Sequence, residues 1–219
     1  MLIAEAVMLV LIDPPSGRPK VDIIRLDTVL GGALTCDLEV RGLLHTSPTG
    51  PFGNLRVTAA RTPDGRVAEL PDTVRGDSLM IDGLRIAAAR SYNGPRLVGK
   101  LGRNVLDTTT QRFIDRGIVE ARPEKRWLGL VTLSRWPVLD AAPVEAQNRL
   151  VYDVIVNGRP ADAHTRALLT MLHSIDVTHQ VIPLDGMPRG EVRARVAPVV
   201  GKNWIATAVR ALVAAQMPG

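Results

Sequence analysis

Apolar residues fill almost every position from Leu2 to Ile12. A run without a polar face reads as a helix buried on all sides, with a buried strand as the alternative periodicity leaves open. Asp13-Pro-Pro-Ser-Gly-Arg-Pro19 then turns the chain, because two prolines and a glycine cannot continue a helix. From Leu26 to Val40 the pattern becomes periodic, with Leu30, Leu34 and Leu38 at i, i+4, i+8. The Pro-, Gly- and Thr-rich stretch from His45 to Pro71 predicts a hairpin, with Pro63-Asp-Gly65 as a turn. Asp77 to Ala89 is helical, with Asp77 at its start. Asn93-Gly-Pro95 opens a longer helix, predicted to reach about Arg116 and to bury Leu97, Leu101, Val105 and Phe113. A second hairpin is predicted near 118–133, with Arg122-Pro-Glu-Lys-Arg126 at its tip. Helices near 143–156, 162–182 and 202–216 complete the chain.

Two stretches share one pattern. Asp37-Leu-Glu-Val-Arg-Gly-Leu-Leu44 closes a helix before the strand-like Asn54-Leu-Arg-Val-Thr-Ala-Ala60. Arg112-Phe-Ile-Asp-Arg-Gly-Ile-Val119 closes another before Trp127-Leu-Gly-Leu-Val-Thr-Leu133. In each, the glycine after Arg can take the left-handed conformation that satisfies the last helical carbonyls. The expected fold is therefore mainly α: a single helical domain over 1–219 with two winged-helix-like helix–hairpin units and an exposed β-hairpin.

Composition narrows the partners. Aromatic content of 3% argues against a stacking platform for single-stranded nucleic acid. A net charge of +5 favours an anionic partner, lipid headgroup or nucleic acid, over a cationic one, unless it simply keeps the surface soluble. Cys36 is alone, which excludes a disulfide framework and a Cys-based zinc site. The apolar N-terminal run lacks a basic n-region, carries Glu5 and is too short to span a bilayer, so it predicts a buried helix in a cytoplasmic protein.

No Gly-rich phosphate loop, G-x-S-x-G elbow or H-E-x-x-H motif is present, so the expectation is a non-enzyme without cofactor or metal. His173, Asp176 and His179 form one ligand-like cluster, but on a helix the two histidines point about 120° apart. A surface hydrogen bond between His173 and Asp176 is the expected use of that pair. Arg96, Lys100 and Arg103 stand at i, i+4, i+7, within about 60° of one another near a helix N-terminus. Three convergent cations suit a phosphorylated headgroup; the alternative is a solvated face partly neutralised by Asp107. The second hairpin is a candidate membrane or dimer contact through Trp127, Leu128, Arg122, Lys125 and Arg126, against the plainer reading of core packing. A wing lying along a DNA backbone would use the same cations.

Over almost its whole length the chain resembles the Golgi phosphoprotein family of phosphoinositide-binding adaptors. The resemblance is carried by Ala4-Glu-Ala-Val-Met-Leu-Val-Leu11, Gly32-Ala-Leu-Thr-Cys-Asp-Leu-Glu-Val-Arg-Gly42 and Gly76-Asp-Ser-Leu-Met-Ile-Asp82. Arg103-Asn-Val105 with Asp115-Arg-Gly-Ile-Val119, and Arg166-Ala-Leu-Leu-Thr-Met-Leu-His-Ser-Ile-Asp-Val177, extend it. It implies a helical fold with an exposed hairpin and binding of phosphatidylinositol-4-phosphate at a membrane surface, in a bacterial-type member. Of the family's four headgroup residues, the Trp falls on Asp22 and one Arg on Gly31. The two later arginines fall on Arg103 and Leu106. The losses should remove several charge-assisted hydrogen bonds at roughly 1.5–3 kcal/mol each. Arg18, Lys20, Arg25, Arg96 or Lys100 would have to compensate. The leading expectation is a peripheral membrane protein on an anionic phospholipid surface, with homo-oligomerisation through the hairpin open. The alternative is a winged-helix-type nucleic-acid-binding regulator.

Overall fold

The computed structural model describes residues 1–49, 54–126, 131–184 and 186–216; at 54, 123–126 and 131–134 it describes the backbone alone. Helix α1 (Ile3–Leu11) is buried at every position and packs on α2 (Ile23–Val40). The absence of a polar face in its sequence is thus the consequence of neighbours on all sides. Its N-terminal amides are satisfied from within the core. Asp37 of α2 accepts from the amides of Ile3 at 3.0 Å and Ala4 at 3.1 Å, while Glu5 reaches back to the Leu2 amide at 2.8 Å.

Both Arg-Gly stops behave as expected. Gly42 and Gly117 have φ of 69° and 67°. The Gly42 amide donates to Glu39 O and the Leu43 amide to Leu38 O. The same pair of bonds recurs from Gly117 to Ile114 and from Ile118 to Phe113. Two bonds of this kind, with a buried apolar contact across them, form a Schellman stop. The first stop leads into β1 (Leu44–Thr49) and β2 (Asn54–Ala59), paired antiparallel, with β3 (Tyr92–Asn93) added beside β2. Pro63-Asp-Gly65 does not join these strands; it closes a smaller loop pinned by a bridge between Arg61 and Val67. After α3 (Ser78–Ala89), α4 (Gly94–Leu101) and α5 (Val105–Asp115), the second stop leads into β4 (Arg122–Arg126) and β5 (Val131–Arg135). Residues 122–126 are therefore a strand and not the hairpin tip.

Three other expectations change. The helix predicted from Asn93 to Arg116 is broken by a 3-10 turn, Gly102–Asn104, where Gly102 lies against α2: a Cβ there would meet Asp27 O at 2.5 Å. The helix predicted over 162–182 divides into α7 (Ala163–Ser174) and α8 (Thr178–Val181), because Asp176 adopts φ 57° between them. Asp176 does not use its carboxylate on His173; it binds Arg193, at 2.7 Å through Nε, and Arg189. Both arginines belong to α9 (Arg189–Val200), a helix that follows α6 (Ala142–Ile155), α7 and α8 and was not predicted. Helix α10 (Trp204–Gln216) then packs against α2, α4 and α7.

Candidate functional site

Helix α4 begins at Asn93, whose side chain accepts from the Arg96 amide at 2.9 Å, with Pro95 in the first turn. From there the helical backbone carries Arg96, Lys100 and, one 3-10 step later, Arg103. Asn104, at φ −123°, ends the continuity. Arg96 and Lys100 thus stand on α4 itself, and Arg103 within the turn that breaks the helix. Asp107 comes after the break.

Arg103 lines a notch of about 180 Å³ between the first turns of α2, the 3-10 turn and the end of α10, with Ile24, Asp27, Thr28, Leu212 and Gln216. Arg96 and Lys100, on α4, do not line it. Pockets that enclose small ligands run to several hundred Å³, roughly 300–1,000. The notch is thus a place for a group to rest and not one that swallows a ligand. Its acidic member, Asp27, is pushed above the ordinary carboxylate range by burial and then by Asp107 nearby, and it makes no ion pair with Arg103.

Most arginines of this protein are already engaged. Arg25 pairs with Asp22, Arg41 with Asp37, and Arg112 binds Asp77 through two hydrogen bonds of 2.8 and 2.9 Å. Glu5, buried at the start of α1, is held by Arg116 at 3.1 Å and Arg112 at 3.6 Å. Lys20 donates to the carbonyls of Val10 and Val181, both at 3.1 Å, and burial pulls its pKa down. Lys20 and Arg25 are therefore not available to replace the missing headgroup ligands. Arg96, Lys100 and Arg103, by contrast, have no side-chain partner among the described residues.

A feature absent from the sequence reading lies beside the notch. Ile23 and Ile24 open α2 and are 47% and 53% exposed, and Ile24 is part of the notch wall. Asp22 caps that helix, accepting from the Arg25 amide at 2.9 Å. A capping Asp followed by two isoleucines was the available signal; starting the helix at Leu26 hid it.

The profile of one protein family, described as Golgi phosphoprotein 3 (GPP34), matches residues 3–216. The chain belongs to this family. No curated protein matches it. Within the GPP34 framework the four expected headgroup positions fare differently. Asp22 is a helix cap, and Leu106 packs half-buried against the core. Gly31 is inside the α2–α4 contact, where a Cβ would lie 2.4 Å from Val98 O, so no arginine fits there. Arg103 alone is an exposed cation.

On the second hairpin, Arg122 is exposed and bound to Glu120 at 2.8 Å. Lys125 and Arg126 belong to β4, with their side chains outside the described residues, and Trp127 and Leu128 lie outside them altogether. Among the described residues, no group of three His, Cys, Asp or Glu side chains could hold a metal ion. No described helix is long and apolar enough to cross a membrane.

Proposed function

We propose that this GPP34-family protein is a non-enzymatic peripheral membrane protein that binds an anionic phospholipid headgroup of the phosphatidylinositol-4-phosphate type. Arg103, Arg96 and Lys100 are its phosphate-facing side. The observation that carries this reading is that these three cations have no side-chain partner among the described residues, where the other basic side chains are mostly paired. Guanidinium and ammonium groups without a carboxylate partner keep all their donors for phosphate oxygens. Ile23 and Ile24, exposed beside Arg103, support it by offering an apolar contact to the same surface.

Vesicle co-sedimentation tests the reading. The protein should pellet with phosphatidylcholine vesicles carrying phosphatidylinositol-4-phosphate, and Arg103→Ala should weaken this about tenfold, the effect of one charge-assisted hydrogen bond. Failure to pellet on any anionic vesicle ends the proposal. Duplex-DNA binding with a steep inverse salt dependence in that case would favour the winged-helix alternative.

A further inference from the structure

A cleft larger than the notch lies away from it, where three segments meet: the loop after α6, the first turns of α7, and the end of α9 with its exit toward α10. Its volume is about 820 Å³, in the range of small-ligand sites. Four cations line it, Arg159, Arg166, Arg195 and Lys202, and no carboxylate does. They come from two stretches of the sequence, 159–166 and 195–202, which folding brings together.

Part of this charge has a structural use. Arg195 donates to Ile155 O at 2.9 Å, closing the C-terminal end of α6, and pairs with Glu191 at 2.6 Å. Arg159 pairs with Asp153 at 3.0 Å. Helix capping and local pairing therefore account for two of the four. They do not account for Arg166, whose hydrogen bond to Ala161 O is a long 3.3 Å, or for Lys202, which has no side-chain partner among the described residues. Glu39 lines a smaller cleft on the other side of Arg166 but makes no ion pair with it, and accepts instead from Trp204 Nε1.

We infer that this cleft is a second anion site, taking a phosphorylated ligand with more than one negative charge. Arg166 and Lys202 are its free donors, and Arg195 is a guanidinium already fixed in position by backbone carbonyls. A fixed donor loses little freedom on binding, and an Arg and a Lys without carboxylate partners need not be separated from one. The ligand chemistry is shared by a soluble phosphorylated compound and by a phospholipid headgroup.

Inorganic pyrophosphate, titrated into the full chain by calorimetry, is the test. Wild type should bind saturably, and Arg166→Gln with Lys202→Gln should bind about a hundredfold more weakly, one decade for each lost cation at about 1.4 kcal/mol per decade. Lys202→Gln alone breaks no side-chain hydrogen bond or ion pair among the described residues and should weaken binding about tenfold, which keeps the test decisive if the double variant misfolds. Vesicles of phosphatidylcholine with phosphatidylinositol-4-phosphate identify the source: competition with pyrophosphate assigns the site to a lipid headgroup, and indifference to a soluble phosphate. No saturable binding by wild type, or equal binding by the Lys202 variant, overturns the inference.

Discussion

Placing a methyl group on Gly31 probes the contact that positions Arg103. An added Cβ would stand 2.4 Å from Val98 O and 2.8 Å from the Gly102 nitrogen, both backbone atoms of the segment bearing the cations. Backbone cannot rotate away as a side-chain tip can, so α2 and α4 would have to part by about 1 Å to restore an ordinary contact. Overpacking costs about 1–3 kcal/mol, here about 2–3 because only backbone can yield, and replacing Gly by Ala inside a helix returns about 1 kcal/mol. The net expectation for Gly31→Ala is a loss of about 1–2 kcal/mol in urea unfolding, with Tm lower by about 2–4 °C for each kcal/mol in a chain of this length. Gly32→Ala is the internal control. Its Cβ would meet Val209 Cγ2 at 2.5 Å and Met171 Sδ at 2.8 Å, both in side chains that can shift. The same gain in helix propensity should then leave it within about 1 kcal/mol of wild type. The reasoning fails if Gly31→Ala is as stable as wild type, or if Gly32→Ala is the worse of the two.

Two further outcomes follow from buried charge. Burial pushes the Asp37 carboxyl up to about 6, against the pull of the Ile3 and Ala4 amides and Arg41. The folded state therefore holds this proton more tightly than the unfolded chain, and stability should fall by about 3 kcal/mol as pH rises from about 4 through about 6. Urea unfolding across that range should lose this slope in Asp37→Asn; an unchanged difference between the two proteins at every pH would contradict the assignment. His164 and His173, both lowered chiefly by burial, tilt stability the other way, so the comparison with Asp37→Asn is what isolates the carboxylate. Arg112→Ala should destabilise by about 3 kcal/mol in the same assay, because it strips Asp77 of a two-point partner and leaves buried Glu5 to Arg116 alone. A change below about 0.5 kcal/mol would mean that solvent already screens the network.

What the sequence disclosed depended on whether the deciding contact was local. The Schellman stops at Gly42 and Gly117 are set by neighbours along the chain, and both were legible. So was the burial of α1, since its composition admits no exposed face. The break at Gly102–Asn104 was not, because it answers to Asp27 O on another helix. Helix α9 escaped for a different reason. Its exposed face carries Arg189, Arg193 and Arg195, Pro198 interrupts it, and it buries only Val192, Val196 and Val200. Asp176, read as a partner for His173, is held by arginines of that unrecognised helix. Within the site, the spacing of Arg96, Lys100 and Arg103 was visible while their freedom from partners was not. The family's cation at Gly31 illustrates the same limit: alignment can place a residue where packing leaves it no room.

Three cations, one of them half-buried, make a weak anchor, and the two halves of the proposed surface depend on each other. A Lys or Arg near an anionic bilayer contributes about 1 kcal/mol, so Arg96, Lys100 and Arg103 together reach about 3 kcal/mol. Fully burying an exposed isoleucine is worth about 1.5–3 kcal/mol, and side chains already half covered, as Ile23 and Ile24 are, retain about half of that each. The sum, about 5 kcal/mol, approaches the binding of a single acyl chain, which is reversible and needs a second signal to become stable. Salt separates the terms, since it screens the cations and leaves the isoleucines untouched. Pelleting that weakens with ionic strength to a small apolar remainder is what this surface can deliver. Tight, salt-indifferent attachment would have to come from elsewhere on the molecule.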